Sequence, residues 1–320
     1  MKPYTLLLLS VLLLAACQDD EMVPDLQTTL RLDQKINING LEREYHIQTP
    51  PEPAGKPLVI LLHGHGGSSD QSIGAGVGKA VQKTWLDLAE DEDFTVIVPN
   101  GTLGPEDTRG WNDCRNDAPG NPETDDVAFI SQLIDNTLVE FNYDSDRIYI
   151  AGVSNGASMS IRLAQEIPEK IAAFASIVNS MPGNSECPVS DVPLSVLFMN
   201  GTADPLVPYE GGQIASNRGL VQSTTASVAY WVARNNTDTQ PIVQDFDDRD
   251  PDDGSTVKKY HYLNGTNNTE VVLYEVIGGG HTEPSLVERY GNLYLAIVGT
   301  QNGDIEMAEE VWDFFRGKTR

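Results

Sequence analysis

The pentapeptide Gly152-Val153-Ser154-Asn155-Gly156 follows directly on the apolar run Ile148-Tyr149-Ile150-Ala151 and leads into a helix-compatible segment, 157–166. Strand, tight turn and helix in that order hold Ser154 in a strained backbone conformation and push its hydroxyl clear of the sheet. Only glycine-sized neighbours two residues before and after leave room for such a turn, and Gly152 and Gly156 are those neighbours. A neutral hydroxyl is a poor nucleophile near pH 7, so a base must take its proton, and histidine has the basicity for that work. The chain offers partners in the order nucleophile, acid, histidine: Ser154, Asp204, His281.

Alternation of strand-like and helix-like segments runs through the chain. Residues 28–37 and 41–49 read as a hairpin with Asn39-Gly40 at its turn, and Leu58-Val59-Ile60-Leu61-Leu62 as a strand buried on both faces. Further strands are expected at 95–98, 147–151, 172–178, 194–199 and 271–276, and helices at 77–90, 125–141, 155–166, 223–235 and 304–316. This pattern predicts an α/β class: a doubly wound, mostly parallel sheet with an antiparallel N-terminal hairpin and ligands at the carboxyl ends of its strands. No internal repeat or long Pro/Ser-rich linker interrupts it, so one catalytic domain is expected over 28–320.

Each candidate residue follows a strand end. Asp204, after the strand 194–199, would accept a hydrogen bond from the far ring nitrogen of the histidine, fixing its tautomer and stabilising the imidazolium; a turn-forming Asp before Pro205 is the plainer reading. Asp191 precedes that strand, at the wrong end of the sheet. His281 follows Ile277-Gly278-Gly279-Gly280, a loop that lets an imidazole reach back over the serine, whereas His46 and His261 fall in alternating strands as ordinary sheet or surface residues. The tetrahedral intermediate needs two donors. Asn155 N–H, at the positive end of a helix, is one; the other comes from His63-Gly64-His65-Gly66-Gly67, with the amide of His65 the best placed. Since amides do this work, Asn155→Ala is expected to keep most activity, and the ring of His65 is read equally as structural or as facing the acyl pocket.

Asp125 and Asp126 read as helix-start charges favoured by the macrodipole. The acidic run 245–253 fails as a calcium loop, because a loop starting at Asp248 would need glycine at Asp253 and glutamate at Lys259. Neither cysteine spacing nor any H-E-x-x-H pattern suggests a metal, and no cofactor is expected.

Residues 1–16 carry one lysine and a short apolar core, as a signal peptide does, and Leu14-Ala15-Ala16-Cys17 resembles the bacterial lipobox. That resemblance implies lipidation of Cys17, an acidic tether over 17–27, and an extracytoplasmic protein anchored at an outer membrane or cell surface through Cys17 alone; the alternative is an ordinary secreted chain with a stray cysteine. Cys114 and Cys187 remain as an even pair that such a compartment would oxidise, worth roughly 4 kcal/mol in the chain-entropy model, with two free thiols as the alternative. The formal charge of −26 argues against nucleic acid and anionic lipid surfaces. It also favours neutral substrates, since no local basic patch is visible.

Taken together, Leu61-Leu62-His63-Gly64, Val98-Pro99-Asn100-Gly101, Gly110-Trp111-Asn112, the run from Asp125-Asp126 to Phe129-Ile130, the Ser154 pentapeptide, Asn200-Gly201-Thr202-Ala203-Asp204 with Val207-Pro208-Tyr209 and Gly211-Gly212, Gly279-Gly280-His281-Thr282 and Val311-Trp312-Asp313-Phe314-Phe315 resemble the secreted polyhydroxybutyrate depolymerase and feruloyl esterase group, related to family-one carbohydrate esterases. The resemblance covers nearly the whole chain after Lys56. It implies an α/β-hydrolase fold, carboxylic-ester hydrolysis without a cofactor, Ser154, Asp204 and His281 on the triad positions, and Trp111 and Asn112 on a loop that borders the active site and contacts substrate, unless Trp111 merely packs. Members often carry cysteine where His65 stands and tryptophan where Glu283 stands. The expected activity is that of an extracytoplasmic serine esterase. It would work through an acyl-enzyme on feruloyl or acetyl esters of plant polysaccharide, or on short hydroxyalkanoate esters. Bulk polyester ranks lower, since no linker and polymer-binding domain are read. The rivals are a serine peptidase using the same triad, for which too little chain precedes residue 58 to build a propeller gate, and a non-catalytic carbohydrate-binding surface lipoprotein.

Overall fold

The structure, a computed structural model, describes residues 27–76 and 81–320. The signal peptide, Cys17 and all but the last residue of the tether lie outside them. Ten strands make the main sheet: β1 (Thr29–Ile38), β2 (Leu41–Thr49), β3 (Leu58–Leu62), β4 (Thr95–Pro99), β5 (Ile148–Val153), β6 (Ala173–Ile177), β7 (Ser195–Gly201), β8 (Ile242–Asp245), β9 (Thr256–Tyr262) and β10 (Val271–Ile277). Their spatial order is β1-β2-β4-β3-β5-β6-β7-β10-β9-β8. The six central strands from β4 to β10 pair in parallel, and an antiparallel pair flanks them at each edge. The N-terminal hairpin closes through Asn39 and Gly40, both at positive φ (52° and 87°).

Period-two alternation divides the central strands between two cores. Leu58, Ile60, Leu62, Ile150, Phe174, Val196 and Phe198 face one side, where they meet α2 (Asp126–Phe141), α3 (Asn155–Glu166) and α4 (Thr224–Asn235). Val59, Leu61, Tyr149, Ala151, Leu197 and Met199 face the other, where α1 (Thr84–Glu92) and α6 (Met307–Phe315) bring Trp85, Val311, Trp312 and Phe315. Helices on both faces explain why β3 is apolar at every position. Asp125 and Ser223 start α2 and α4 by accepting from the amides three residues on, and Asn142 and Asn236 end them in left-handed geometry.

Several expectations shift. The helix expected over 77–90 begins at Thr84 after a 3-10 turn at Val81–Lys83, and residues 77–80 lie outside the described part. The last helix starts at Met307, because the Asp304 carboxylate is turned back to accept from Arg249 N–H (2.7 Å). A short helix, α5 (Asn292–Val298), lies where none was expected, since its Leu293 and Ile297 point outward and leave no amphipathic pattern. The acidic run 245–253 begins at the last residue of β8 and continues into the connection to β9. Asp253 there accepts from Ser255 and Gly303 amides. No helix among the described residues is long and apolar enough to cross a membrane.

Asp125 and Asp126 both stand at the start of α2, as expected, and Asp126 has a further part. Asp125 takes the cap, while Asp126 is fully buried and pairs at 2.7 Å with the equally buried Arg43 of β2. Arg43 also donates to Asn100 O and lies 3.9 Å over the Phe129 ring, and Asp126 accepts from Asn112 N–H. The pair fastens the hairpin to α2. Removing one partner strands the other charge in the core, so Asp126→Ala should cost about 3–5 kcal/mol in urea unfolding; a loss below about 1 kcal/mol would refute this role.

His261 is likewise engaged. Its Nε2 and Lys318 Nζ both reach Glu270 Oε2 at 2.7 Å. Burial alone would raise the Glu270 pKa, but the two donors outweigh it and bring the value down to about 2 from an ordinary 4.5. A depressed carboxylate contributes stability that is fully present above pH 4.5 and lost as pH falls through about 2. Stability measured between these pH values should therefore decline less steeply in Glu270→Gln than in the parent chain.

Candidate active site

Ser154 ends β5 with φ 56° and ψ −116°, a conformation a non-glycine residue holds only when its surroundings enforce it. The enforcement is visible. Ser154 N–H donates to Ile177 O (2.9 Å), and Asn179 Nδ2 donates to Ser154 O (2.7 Å). A Cβ on Gly152 would stand 2.2 Å from Gly156 O, and one on Gly156 would stand 2.1 Å from Leu62 O, so the turn tolerates no side chain at either site.

His281 Nε2 lies 2.9 Å from Ser154 Oγ and its Nδ1 lies 2.7 Å from Asp204 Oδ2. A carboxylate only accepts, so Nδ1 carries the proton and Nε2 is free to accept from the serine hydroxyl. The other Asp204 oxygen accepts from Leu206 N–H (2.7 Å) and Val207 N–H (2.8 Å), leaving the carboxylate one orientation. His281 and the Asp204 side chain are 9% and 3% exposed. The glycines before His281 bring its loop close: a Cβ on Gly280 would meet Val298 O at 2.3 Å, and His281 N–H donates to that same carbonyl at 2.6 Å. The end of α5 thus holds the histidine.

Asn155 opens α3 and borders the cleft beside Ser154, as do Gly64, His65 and Gly67. A Cβ on Gly64 would sit 3.3 Å from Ser154 Cβ, so the residue preceding His65 packs directly against the serine. The His65 ring borders the cleft near Gly110. His63 points inward as a scaffold: its Nδ1 donates to Gly64 O (2.8 Å) and its Nε2 accepts from Gly101 N–H (3.0 Å).

Trp111 and Asn112 do not line the cleft, which corrects the expectation that they touch substrate. The Trp111 ring is fully buried against His63, its Nε1–H donates to His63 O (2.8 Å), and its backbone N–H donates to Asn155 Oδ1 (2.7 Å). Asn112 is spent on Thr124 O, Asp126 and Arg162. The same contacts change the standing of the Asn155 side chain, whose Nδ2 also donates to Trp111 O (3.1 Å) and to buried Asp113 (2.7 Å). Asp113 pairs with buried Arg115 at 2.5 Å. Cys114 lies between those two residues and is bonded to Cys187.

The cleft is a cavity of about 240 Å³. Beyond Ser154 and His281 it meets Asn179, Leu206, Val207, Ile214, Arg115, Arg218 and, from the α5 side, Glu283, Tyr290, Tyr294 and Ile297. Sequence reading missed most of these. Val207 and Glu283 stand at positions the sequence singles out, and Asn179 lies just past a strand end; in the structure Val178 before it holds φ 51°, a strained value for a β-branched residue. Glu283, standing where members of the resembled group often carry tryptophan, is buried and accepts from Tyr290 O–H (2.7 Å). Burial and the nearby Glu283 charge raise the Tyr290 pKa well above its ordinary value. Among the described residues one group, Asp33, His46 and Asp70, clusters closely enough to suggest metal ligands. Its histidine is already used at both nitrogens, by Asp33 N–H and the Asp70 carboxylate.

Comparison with known proteins is consistent with this geometry. The chain belongs to the phospholipase/carboxylesterase family, whose model matches residues 43–227, and it is a carboxylic-ester hydrolase of the α/β-hydrolase fold. It is 27% identical over 318 residues to the putative esterase NocK of Nocardia uniformis subsp. tsuyamanensis, covering 92% of this chain and 84% of that one. It is 24% identical over 249 residues to poly(3-hydroxyalkanoate) depolymerase C of Paucimonas lemoignei, covering 72% of this chain and 56% of that protein. The fold matches the solved acetyl xylan esterase from Aspergillus awamori with a TM-score of 0.54 at 16% identity, over 84% of this chain and 98% of that one.

The Asn155 contacts reverse the expectation that Asn155→Ala is mild. Truncation leaves Trp111 N–H and Asp113 each short of a partner. It should cost about 1–3 kcal/mol of stability and lower kcat on p-nitrophenyl butyrate by about tenfold to a hundredfold. Wild-type kcat in the variant would restore the amide-only reading.

Proposed function

We propose that this hydrolase is a serine esterase that works through an acyl-enzyme, with Ser154 as nucleophile, His281 as general base and acid, and Asp204 as the residue that orients His281. The observation that carries this reading is the continuous pair of hydrogen bonds from Ser154 Oγ through the imidazole to Asp204, 2.9 and 2.7 Å, on a strained turn at the rim of the sheet. Ser154 Oγ attacks the acyl carbonyl as its proton passes to His281 Nε2. The amides of Asn155 and His65 donate to the resulting oxyanion, and the Asp204 carboxylate stabilises the imidazolium. Collapse breaks the ester C–O bond, and the alcohol leaves with the proton from His281. Water then gives a proton to Nε2 and attacks the acyl-enzyme; the second collapse returns that proton to Ser154 and frees the acid.

A cavity of about 240 Å³ with Leu206, Val207, Ile214 and Ile297 among its walls suits a compact acyl group such as acetyl, feruloyl or a hydroxybutyrate unit. The polyhydroxyalkanoate depolymerase and acetyl xylan esterase names borne by similar proteins favour the same classes for this chain. The Leu14-Ala15-Ala16-Cys17 ending supports an extracytoplasmic enzyme anchored through lipid on Cys17, with one catalytic domain over 28–320.

Ser154→Ala and His281→Ala should each lower kcat by about four to six orders of magnitude on p-nitrophenyl butyrate, with unchanged far-ultraviolet circular dichroism. A phosphonate ester should add mass to the Ser154 peptide and to no other. Ser154→Ala activity within tenfold of wild type would end the proposal. Methyl ferulate, acetylated xylan and hydroxybutyrate oligomers, run beside the Ser154→Ala control, rank the acyl groups.

A further inference from the structure

We propose that Arg218 forms an anion subsite in the cleft and binds a carboxylate borne by the ester substrate. This rests on the serine-esterase reading of the same cleft. In this chain 21 lysines and arginines face 47 aspartates and glutamates, so a cation finds a partner easily. Arg43, Arg147, Lys170 and Arg289 show the usual outcome, each seated on a carboxylate. Arg218 is half-buried and lines the cleft, yet its guanidinium has no hydrogen-bond or ion-pair partner among the described residues. The carboxylate beside its loop, Asp117, is not its partner: Asp117 accepts from Leu220 N–H (3.2 Å) and Asn184 Nδ2 (2.8 Å).

The loop that presents Arg218 is built rather than loose. Ser216, Asn217 and Gly219 all hold positive φ (60°, 56° and 88°), and Ile214 N–H closes the loop on Gly219 O at 2.9 Å. The Arg218 carbonyl accepts from Arg115 Nη1 at 2.7 Å, Arg115 pairs with Asp113, and Asp113 accepts from the Asn155 side chain. Two residues, Arg115 and Asp113, thus tie the Arg218 backbone to Asn155, the residue following Ser154, and fix where the loop stands in the cleft. Such preorganisation matters for a subsite, because the loop's ordering cost is met before substrate arrives.

Charge then selects the ligand. Of the charged groups on the cleft wall, Arg115 is neutralised by Asp113, and Glu283 is engaged by Tyr290 O–H on the α5 side. Of the two arginines on that wall, Arg218 is the one with no acidic partner among the described residues, and a planar guanidinium in a partly desolvated site pairs best with a carboxylate. This revises the expectation, drawn from the chain-wide charge, that substrates are neutral throughout. The fitting substrate is an ester with a free carboxylate away from the scissile carbonyl. That carboxylate sits either on the alcohol portion, as at the carboxyl end of a hydroxyalkanoate oligomer, or on the acyl portion, as in a dicarboxylic half-ester.

The test uses matched pairs: hydroxybutyrate dimer as free acid and as methyl ester for the alcohol side, and the p-nitrophenyl half-ester of succinate with its methyl-capped form for the acyl side. The wild-type protein should prefer the free acid in one pair, and the pair that responds identifies the source of the carboxylate. In Arg218→Gln the kcat/KM ratio of free acid to methyl ester should fall by about 10–100-fold, mainly through KM, and Arg218→Lys should recover part of it. Added salt should erode the ratio in wild type and not in Arg218→Gln. A purely structural role lowers both members of a pair alike and leaves the ratio unchanged; that result, or equal wild-type rates within both pairs, overturns the subsite. Failure of the serine mechanism shows elsewhere, as p-nitrophenyl butyrate turnover that survives Ser154→Ala.

Discussion

Two glycines let a helix backbone touch a strand backbone, and the rest of the site follows from that contact. Where a side chain on Gly156 would drive into Leu62 O, the bare backbone lets α3 start directly beneath the end of β3. Gly152 allows the same approach from the strand side. Between them Ser154 has nowhere to go but into positive φ, which lifts its oxygen out of the sheet toward His281. A strain of this kind costs of order 1–3 kcal/mol. Hydrogen bonds from Asn179 and to Ile177 offset it, so the folded core, rather than any local preference, maintains the reactive geometry.

Much of this arrangement could be read from the residues alone, and the physical reason is periodicity plus punctuation. β2, β3 and α3 have the bounds their patterns indicated, because each is a run of uniform periodicity closed by a turn or capping residue. The convergence of Ser154, Asp204 and His281 was legible because parallel strands end on one rim, which turns three distant sequence positions into neighbours. What escaped was of another kind. Helix α1 begins at Thr84, with Lys83 at its N-cap making no side-chain cap bond, and α5 turns Leu293 and Ile297 outward, so neither announces itself. Trp111 sits on the loop where the resemblance put it, but its ring is drawn inward by one indole N–H seeking the His63 carbonyl, a contact across 48 positions that no pattern records.

The buried polar chain around Asn155 illustrates the same limit more sharply. Asn155 was noticed for its amide, yet its side chain bonds Trp111 at both backbone atoms and reaches Asp113. Arg115 and Asp113 are two residues apart in sequence and so look like a surface pair, but both are almost wholly buried, and Arg115 continues to a carbonyl 103 positions away. A buried pair of this type is a weak source of net stability, because desolvation cancels most of its attraction. Its value lies in geometry: each member has few alternatives once water is excluded, so the loops it joins are held in one register.

That register bears on how an acidic enzyme handles charge. A net −26 gives a diffuse field that weakens over about a Debye length in physiological salt, whereas a guanidinium in a cleft acts at contact distance and in a lower local dielectric. The two effects therefore operate on different parts of a substrate's approach. The surface disfavours polyanions at long range, while the subsite proposed at Arg218 would act only on a carboxylate already in the cleft. The Cys114–Cys187 bond falls between Asp113 and Arg115 in the chain, so the covalent tie and the ionic one brace the same loop. Three kinds of bond, hydrogen, covalent and ionic, therefore converge on five consecutive residues, from Trp111 to Arg115, which leaves that loop few alternative positions.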